Sequence, residues 1–332
     1  MRRQPLGQTG ASVPVLCQGC MQLGAGGEGA EAQRRADAAI EAALAAGIDH
    51  FDHADIYQRG RAETLFGTWL AAAPSRREQV IIQTKVGIRP PNDGGAACTR
   101  YDFSAAHITT AVDGCLARLR CGRIDVLLLH RPAALVEFDE LARVVDDLVR
   151  AGKIRHLGVS NHSGAQMRLL ARHLGRPLAA NQLEFNPVHC SLVDRGLTVN
   201  RPDNPTDADG NDALEECRLQ GVTIQAWSPL ARGFLSGRPA EQALADERSR
   251  AKFPLHRVLP AARVVERIAR ERGVPCEAVV LAWILRHPAG IQPVIGTTDP
   301  ARITACAQAD QVTLSREEWY ELLTAGRGAP LP

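Results

Sequence analysis

Apolar residues recur along the chain in short runs, separated by longer segments in which polar positions are interleaved. Runs of this length that are rich in Val, Ile and Leu are typical of buried strands. They predict eight strands, near Val15–Cys20, Ile48–Asp52, Gln79–Lys85, Ile124–His130, Ile154–Ser160, Leu178–Glu184, Val222–Ser228 and Gln292–Gly296.

The segments between these runs carry apolar residues at the three- to four-residue spacing of an amphipathic helix. Capping residues and glycines mark where several of them begin or end, as Ser104 and Gly47 do. The pattern predicts helices at Arg34–Ala46, Ala62–Ala72, Ala105–Cys121, Ala213–Gln220 and Cys276–His287, and another that runs through Phe138–Leu148 and stops at Gly152.

Strand followed by helix, repeated about eight times, predicts a parallel sheet covered by helices, and eight such units close a (β/α)8 TIM barrel. We therefore expect one α/β barrel domain over residues 1–332, with an N-terminal β-hairpin around a turn at 7–10. Segments 86–103, 185–211 and 229–258 follow strands and are longer than connectors need. They should form long loops or lids at the C-terminal face of the barrel, where barrels place their sites.

The polar run 201–210 contains several Asp residues and so resembles a calcium loop. Its glycine, Gly210, stands at the wrong position for an EF-hand. We interpret the run as a solvated loop or lid, and we expect no metal site in the protein.

The balance and distribution of charged residues exclude some classes of function. The 39 Lys and Arg residues nearly balance the 37 Asp and Glu residues and are scattered, which leaves no basic stripe for nucleic acid. The N-terminus lacks an apolar signal segment and the chain lacks a long apolar span, so we expect a cytoplasmic protein with no membrane partner. The oligomeric state is open.

The nine cysteines are an odd number and widely spread, which fits buried thiols in a reducing compartment. Cys17 and Cys20 match the C-x-x-C spacing of redox motifs. Those motifs work at a helix N-terminus, whereas this pair falls in a predicted strand. We interpret both residues as core thiols.

Polar side chains stand where three consecutive predicted strands end. Asp52 ends the second strand and Tyr57 follows it, Lys85 ends the third strand, and His130 ends the fourth. Lys85 is one of three lysines in a chain that otherwise uses arginine, which indicates a compact ammonium placed beside a carboxylate. Because the C-terminal ends of barrel strands carry barrel chemistry, we predict that these four side chains form one catalytic site.

The four groups suit the protonation of a carbonyl oxygen. Asp52 would keep Lys85 charged, and Lys85 would lower the pKa of the Tyr57 phenol from about 10 towards neutrality, which would make the phenol a usable proton donor. His130 would donate a hydrogen bond to the carbonyl oxygen and orient it.

In these motifs the chain resembles the aldo-keto reductases, over nearly its whole length. Phe51–Tyr57 looks like the family's Asp-Thr-Ala-x-x-Tyr signature, and 84–85 and 129–132 look like its lysine and histidine motifs. Segments 152–161 and 181–187 look like its nicotinamide-holding strands. The resemblance implies reversible reduction of an aldehyde or ketone to an alcohol, in which the nicotinamide gives a hydride to the carbonyl carbon and Tyr57 gives the proton.

The resemblance also implies a dinucleotide that lies extended across the barrel mouth, with its nicotinamide over Asp52 and Tyr57. NADP(H) is preferred, with NAD(H) as the alternative. The implied contacts are Ser160, Asn161 and Gln182 for the carboxamide; Trp227 for ring stacking; Gly19, Cys20 and Met21 for the ribose; Ser228, Leu230 and Gly233 for the pyrophosphate; and Gly296, Thr297 and Arg302 for the adenosine 2′-phosphate.

The chain departs from the family pattern at several positions. His53 stands where many relatives have Thr, and Gln58 replaces a frequent Gly. At the adenosine end, residues 296–302 contain no lysine and include Asp299, which weakens the case for a bound 2′-phosphate. Arg302 keeps NADP ahead of NAD.

Two rival interpretations are open at this point. Residues 24–29 match the G-x-G-x-x-G of a Rossmann site, with Asp49 about 20 residues on, although the glycines begin several residues beyond the strand and a flexible barrel loop explains them equally well. The other is a barrel that binds the cofactor as a redox sensor or regulatory subunit without turnover. The substrate and the physiological direction are open in each case.

Overall fold

The computed structural model describes residues 1–199, 212–238 and 251–332. The chain begins with a small antiparallel hairpin. Strands β1 (Arg3–Pro5) and β2 (Ser12–Pro14) pair across the turn, which confirms the predicted hairpin. Val13 is fully buried in an apolar cluster with Val126 and Leu128. The hairpin therefore packs onto the barrel that follows.

Eight parallel strands close into a barrel, which confirms the predicted TIM-barrel architecture. Going round the barrel, each strand pairs with the next and the last pairs with the first. These strands are β3 (Cys17–Gly19), β4 (His50–Asp52), β5 (Ile81–Val86), β8 (Ile124–Leu129), β9 (Ile154–Ser160), β10 (Ala180–Glu184), β11 (Thr223–Trp227) and β12 (Gln292–Ile295).

Helices pack around the outside of the barrel, and most bury one apolar face, whereas the helix at Cys276–Leu285 is buried on all sides over most of its length. The described helices are α1 (Gly29–Ala45), α2 (Arg61–Ala71), α3 (Ala105–Leu119), α4 (Phe138–Arg150), α5 (Gly164–Leu174), α6 (Ser191–Leu197), α7 (Ala213–Gln220), α8 (Leu255–Arg272), α9 (Cys276–Leu285), α10 (Pro300–Ala307) and α11 (Arg316–Arg327). Among them, none is both long enough and apolar enough to cross a membrane.

The helix ends differ from the prediction where local side chains extend or stop the helix. Helix α1 begins before the predicted Arg34, because Glu31 in its first turn pairs with Arg34 and Arg35 and because Ala32 is buried. Helix α3 begins after its Ser104 cap as predicted, but it ends at Leu119 because the next residue adopts a left-handed conformation.

The three long segments after strands do not all remain loops. Segment 86–103 contains a short antiparallel pair, β6 (Ile88–Arg89) and β7 (Arg100–Tyr101), and segment 185–211 contains α6. The polar run at 201–210 and the middle of segment 229–258 lie outside the described residues. Whether these segments act as lids therefore stays open, as it was from the sequence.

The glycine-rich stretch 24–29 lies in the turn between β3 and α1. Gly24, Gly26 and Gly29 have positive φ there, as a turn of this kind needs. Because the sheet closes into a barrel instead of opening into a doubly wound fold, the Rossmann interpretation is wrong.

Candidate active site

Asp52 and Lys85 form a buried ion pair at the ends of two neighbouring strands. The Lys85 Nζ donates to Asp52 Oδ2 at 2.6 Å and to Oδ1 at 2.7 Å, and the two side chains are 1% and 3% exposed, respectively. The ammonium also donates to the His53 carbonyl at 3.0 Å. The lysine is therefore held from two sides by the strand that carries Asp52.

Tyr57 completes the group on the loop that follows β4. Its hydroxyl oxygen accepts a hydrogen bond from Lys85 Nζ at 3.0 Å. The loop is tied to β5 because the Asp55 amide donates to the Lys85 carbonyl at 3.0 Å. The Lys85 ammonium therefore lies within hydrogen-bonding reach of both Asp52 and Tyr57, as the sequence predicted.

His130 follows β8 and lies beside the phenol. The rings of Tyr57 and His130 meet edge to face with centroids 6.2 Å apart. Burial, and then the nearby charge of Lys85, lower the pKa of His130 to about 3, so the imidazole is neutral at physiological pH. Its Nδ1 is buried and has no hydrogen-bond partner among the residues that the structure describes. The ring can thus act as a neutral donor or acceptor, but not as a cation.

The contact between Asp52 and Lys85 shifts the pKa of each group in the direction that keeps it charged. Burial alone would raise the pKa of Asp52, but the Lys85 charge and its hydrogen bonds outweigh burial and lower it. Burial alone would lower the pKa of Lys85, because it also disfavours that charge, but the Asp52 charge outweighs burial and raises the pKa. Both groups are therefore charged across neutral pH.

The prediction for the Tyr57 phenol is wrong in direction. Burial raises the pKa of Tyr57 above its usual value, Lys85 offsets this only in part, and the Asp52 charge adds to the increase. The Lys85 charge is the largest effect that opposes burial, but burial and the Asp52 charge together outweigh it. The phenol consequently stays protonated at neutral pH.

His53 and Gln58, the two departures from the family pattern, lie beside this group. His53 is fully buried with its ring 4.6 Å from that of Phe66, and neither ring nitrogen has a partner. Gln58 adopts a φ of 50°, in the left-handed region where a glycine carries no steric penalty. Neither side chain is hydrogen-bonded to the ion pair.

The three residues predicted to hold a carboxamide lie together at the ends of β9 and β10. Asn161 Nδ2 donates to Ser160 Oγ at 2.7 Å, and Ser160 Oγ donates to the Gln182 carbonyl at 2.9 Å. Asn161 has a φ of 60°, an uncommon conformation that is often associated with functional sites. Gln182 Nε2 also reaches Asp52 Oδ1 at 3.1 Å, which joins this cluster to the ion pair.

Trp227, the predicted stacking residue, ends β11 next to this cluster. Its Nε1 donates to Asn161 Oδ1 at 3.2 Å, which fixes the orientation of the indole. The Lys252 ammonium lies 4.6 Å from the centroid of an indole ring and pairs with Glu184 at 2.6 Å. Sequence reasoning did not assign Lys252 to the site, although the rarity of lysine in this chain was a usable signal.

The predicted ribose contacts follow β3. A Cβ on Gly19 would lie 2.9 Å from the Ile295 carbonyl oxygen, so only glycine allows β3 to approach β12 this closely. Cys20 is fully buried, and Met21 is 49% exposed. Burial raises the pKa of Cys17 and Cys20 well above the usual value, and both are free thiols, as expected of core cysteines.

The predicted pyrophosphate contacts lie in a tight turn after β11. Ser228 has a φ of 51° and Gly233 a φ of 95°, and Ser236 Oγ donates back to the Gly233 carbonyl at 2.8 Å. Leu230 is half-buried in the same turn. Several residues in uncommon backbone conformations thus occur together at the barrel mouth.

At the predicted adenosine-binding end of the site, the arginine and the helix N-terminus already have carboxylate partners within the protein. Arg302 Nε donates to Glu277 Oε1 at 3.2 Å, and Asp299 caps α10 by accepting from the amides of Ala301 and Arg302. Thr297 accepts a hydrogen bond at its carbonyl from Gln18 Nε2, at 2.9 Å. Gly296 is exposed, and apart from its chain neighbours no heavy atom of the described residues lies within 4 Å of the position of a Cβ on it.

Among the described residues, no group of three or more His, Cys, Asp or Glu side chains is arranged to hold a metal ion. The polar groups of the site are instead amides, hydroxyls and one ion pair. These groups suit binding and proton transfer to an organic molecule.

Comparisons with known proteins agree with this geometry. The model of the Aldo/keto reductase family matches residues 15–325. The 6-dehydroglucose reductase of Novosphingobium aromaticivorans is 36% identical and covers 98% of this chain and 96% of its own. The 6-dehydroglucose reductase of Agrobacterium fabrum is also 36% identical, over 88% of this chain and 87% of its own.

A crystal structure of a thermostable aldo-keto reductase in complex with the inhibitor epalrestat is similar in fold. It superposes with a TM-score of 0.74 at 23% identity and covers 98% of this chain and 100% of its own. The fold, the family model and the two relatives agree, and the chain belongs to the aldo/keto reductase family.

Proposed function

We propose that the chain is an NADP(H)-dependent reductase that reversibly converts an aldehyde or ketone to an alcohol, with Tyr57 as the proton donor. The observation that carries this proposal is the contact of the Tyr57 hydroxyl with the Lys85 ammonium at 3.0 Å, where the ammonium is held by Asp52. A phenol in this position can give up a proton because the resulting oxyanion would face a fixed cation.

The chain's own residues suit the reductive direction. The nicotinamide, when bound, supplies the hydride. Tyr57 stays protonated at neutral pH because burial raises its pKa, so it is ready to donate to the carbonyl oxygen. Lys85 then stabilises the phenolate, and Asp52 keeps Lys85 charged and in place.

His130 serves as the orienting group in this proposal. Its pKa of about 3 keeps the imidazole neutral, so it adds no positive charge beside the reacting oxygen. A neutral imidazole can still donate one hydrogen bond to a carbonyl oxygen, which positions that oxygen next to the phenol.

The residues at the barrel mouth fit a nicotinamide. Ser160, Asn161 and Gln182 present amide and hydroxyl groups next to Asp52, and the fixed indole of Trp227 suits stacking on a flat ring. Arg302 would take the adenosine 2′-phosphate, which favours NADP(H) over NAD(H). Binding would require Arg302 to turn from Glu277 to the phosphate.

The names of the relatives suggest which carbonyl to test first. Two proteins that are each 36% identical to this chain are named 6-dehydroglucose reductase. A sugar oxidised to a carbonyl compound is therefore the first substrate class to examine here, followed by simple aldehydes and ketones.

Stopped-flow loss of NADPH absorbance with 6-dehydroglucose and a carbonyl panel tests the proposal. We expect turnover, and we expect Tyr57→Phe to lower kcat by roughly 10²- to 10⁴-fold, the range for a general acid, with cofactor affinity nearly unchanged. Tyr320→Phe, in α11 away from the site, is the matched control and should turn over as the wild type does.

The opposite results are equally informative. Tight cofactor binding without turnover of any carbonyl would favour a redox sensor or regulatory subunit. An unchanged rate in Tyr57→Phe would remove Tyr57 from its role.

A further inference from the structure

Glutamine side chains occupy the interior of the barrel beneath the ion pair. Barrel interiors are usually filled by branched apolar side chains. Here four amides, each at most 2% exposed, take that place, and they come from four different strands: Gln83 on β5, Gln182 on β10, Gln225 on β11 and Gln292 on β12.

Two of these amides form a reciprocal pair that ends on Asp52. Gln83 Nε2 donates to Gln225 Oε1 at 2.9 Å, and Gln225 Nε2 donates back to Gln83 Oε1 at 3.1 Å. The second hydrogen of Gln83 Nε2 goes to Asp52 Oδ1 at 2.6 Å. The orientation of the Gln83 amide is thereby set by Gln225 and passed to the carboxylate.

The other hydrogens of these side-chain amides are also donated to acceptors inside the barrel. Gln225 Nε2 also donates to Gln292 Oε1 at 2.9 Å, and Gln292 Nε2 donates to the Pro14 carbonyl at 2.6 Å. Gln182 Nε2 donates to Gln225 Oε1 and to Asp52 Oδ1, each at 3.1 Å. The second hydrogen of Gln292 Nε2 faces His50 Nδ1 at 3.4 Å, so each of the four amides has partners for both of its hydrogens. Such a network is rigid because turning one amide breaks several bonds.

The network meets the ion pair at one oxygen. Asp52 Oδ1 accepts from Gln83 and Gln182 in addition to Lys85, whereas Oδ2 accepts from Lys85. Apolar side chains of similar volume would fill the barrel as well, but they would leave Oδ1 without those two donors. Packing alone does not account for amides here.

We propose that Gln83 and Gln225 are positioning residues that hold the Asp52 carboxylate ionised and turned towards Lys85. The inference rests on the proposed function of Asp52, Lys85 and Tyr57. Gln83 acts on Asp52 directly, and Gln225 acts by orienting Gln83.

Besides Lys85, the charged or titratable groups around Asp52 include the carboxyls of Asp49, Asp55 and Glu63, which act on the same thiols, imidazoles and ammonium. Burial raises the pKa of the neighbouring thiols and phenol and lowers that of the neighbouring imidazoles, so these groups are neutral around pH 7. They are Cys17, Cys20, Tyr57, His50, His53 and His130. Asp55, whose pKa is raised to about 7, titrates at a higher pH than Asp52, whose pKa is lowered, so the acidic limb is assigned to Asp52.

The first test is the pH profile of kcat for three variants. Gln83→Met removes the donor, so the acidic limb should move up by about one pH unit and kcat should fall about tenfold with little change in KM. Gln225→Met should move the limb in the same direction by less. Gln83→Glu can donate to Asp52 only while the introduced carboxyl is protonated, so its activity should recover as the pH falls.

Gln292→Met is the matched control. Gln292 is equally buried and belongs to the same network, but it does not contact Asp52. This variant should lower Tm about as much as Gln83→Met while the acidic limb stays at its wild-type position. Equal loss of Tm in both variants with neither limb moved would show a purely structural network and overturn the proposal.

A second measurement does not depend on turnover. The chain has three lysines, so ¹⁵N-lysine NMR gives three ammonium signals, of which Lys85 is assigned by its loss in Lys85→Met. Gln83→Met should shift the Lys85 signal, and Gln292→Met should leave it in place. If no carbonyl is turned over, the proposed function fails, and this signal still decides the positioning role: an unshifted signal in Gln83→Met overturns it.

Discussion

The two ends of the barrel mouth carry similar charges in different settings. At the proposed catalytic end, Lys85 and Asp52 are 1% and 3% exposed and pair at 2.6 Å. At the proposed adenosine end, Arg302 and Glu277 are 22% and 11% exposed and meet at 3.2 Å. The first pair is supported by amides and a carbonyl, whereas the second is a single contact at the edge of the barrel mouth.

This difference indicates different uses of an ion pair. A fully buried pair cannot exchange its partner without leaving a charge uncompensated, so it keeps its geometry through a reaction cycle. A pair at the edge of the barrel mouth can release its cation to a phosphate at a lower cost than the fully buried pair, because the Arg302 side chain is 22% exposed and water reaches it. We therefore expect the catalytic end to be rigid and the adenosine end to be a site of competition.

Breaking the buried pair should have the largest effect. Lys85→Met leaves the Asp52 carboxylate buried without its cation and should lower the free energy of unfolding by about 3–5 kcal/mol. Adding Asp52→Asn to the same chain keeps an acceptor for the amides but removes the charge, so it should recover most of the loss. Urea unfolding at pH 7 measures both values. Equal stability of the single and double variants would contradict the pairing argument.

A carboxyl close to Asp52 shows what happens when burial outweighs the nearby cations, which for Asp55 are Arg118 and Lys85. Burial, and then the charge of Glu63, raise the pKa of Asp55 to about 7. Because the pKa of Asp55 is higher in the folded protein than in the unfolded chain, its protonated carboxyl contributes fully to stability below about pH 4, the unfolded pKa. That contribution is lost as the pH rises to about 7, the folded pKa. Asp55→Asn should therefore be more stable than the wild type by about 4 kcal/mol at pH 8, which is roughly three pKa units at about 1.36 kcal/mol each, and nearly equal to it at pH 4.

The matched control for this prediction is Asp147→Asn. The Asp147 side chain is 69% exposed and lies at the surface of α4. Its replacement should change stability equally at pH 4 and pH 8. Thermal unfolding across this range tests the sign, and a gain for Asp55→Asn that does not depend on pH would refute it.

The competition at the adenosine end should give the smallest effect. Arg302→Ala should weaken NADPH binding by about tenfold and leave NADH binding unchanged, because the arginine would contact only the 2′-phosphate. Glu277→Gln should strengthen NADPH binding by a smaller factor, since Arg302 would no longer have a competing carboxylate. Isothermal titration measures both cofactors. Equal wild-type affinity for NADPH and NADH would remove Arg302 from its proposed role.

The barrel strands and several helices were accessible from the sequence because their signals are local. Strand β9, at Ile154–Ser160, and helix α7, at Ala213–Gln220, were predicted residue by residue. Segment 86–103 was expected to be a loop, but it forms the pair β6–β7. Strands of two residues leave too short a pattern to recognise.

The sequence by itself determined that an aspartate, a lysine and a histidine stand at consecutive strand ends, because strand order and strand ends follow from local periodicity. Tertiary structure alone decided how those groups are tuned. Gln83 and Gln225 are 142 residues apart in the chain and meet only when the barrel closes. The pKa of Tyr57 depends on how completely it is buried, which no local pattern reports. Arg302 likewise is opposed by Glu277 only through the packing of α9 against α10.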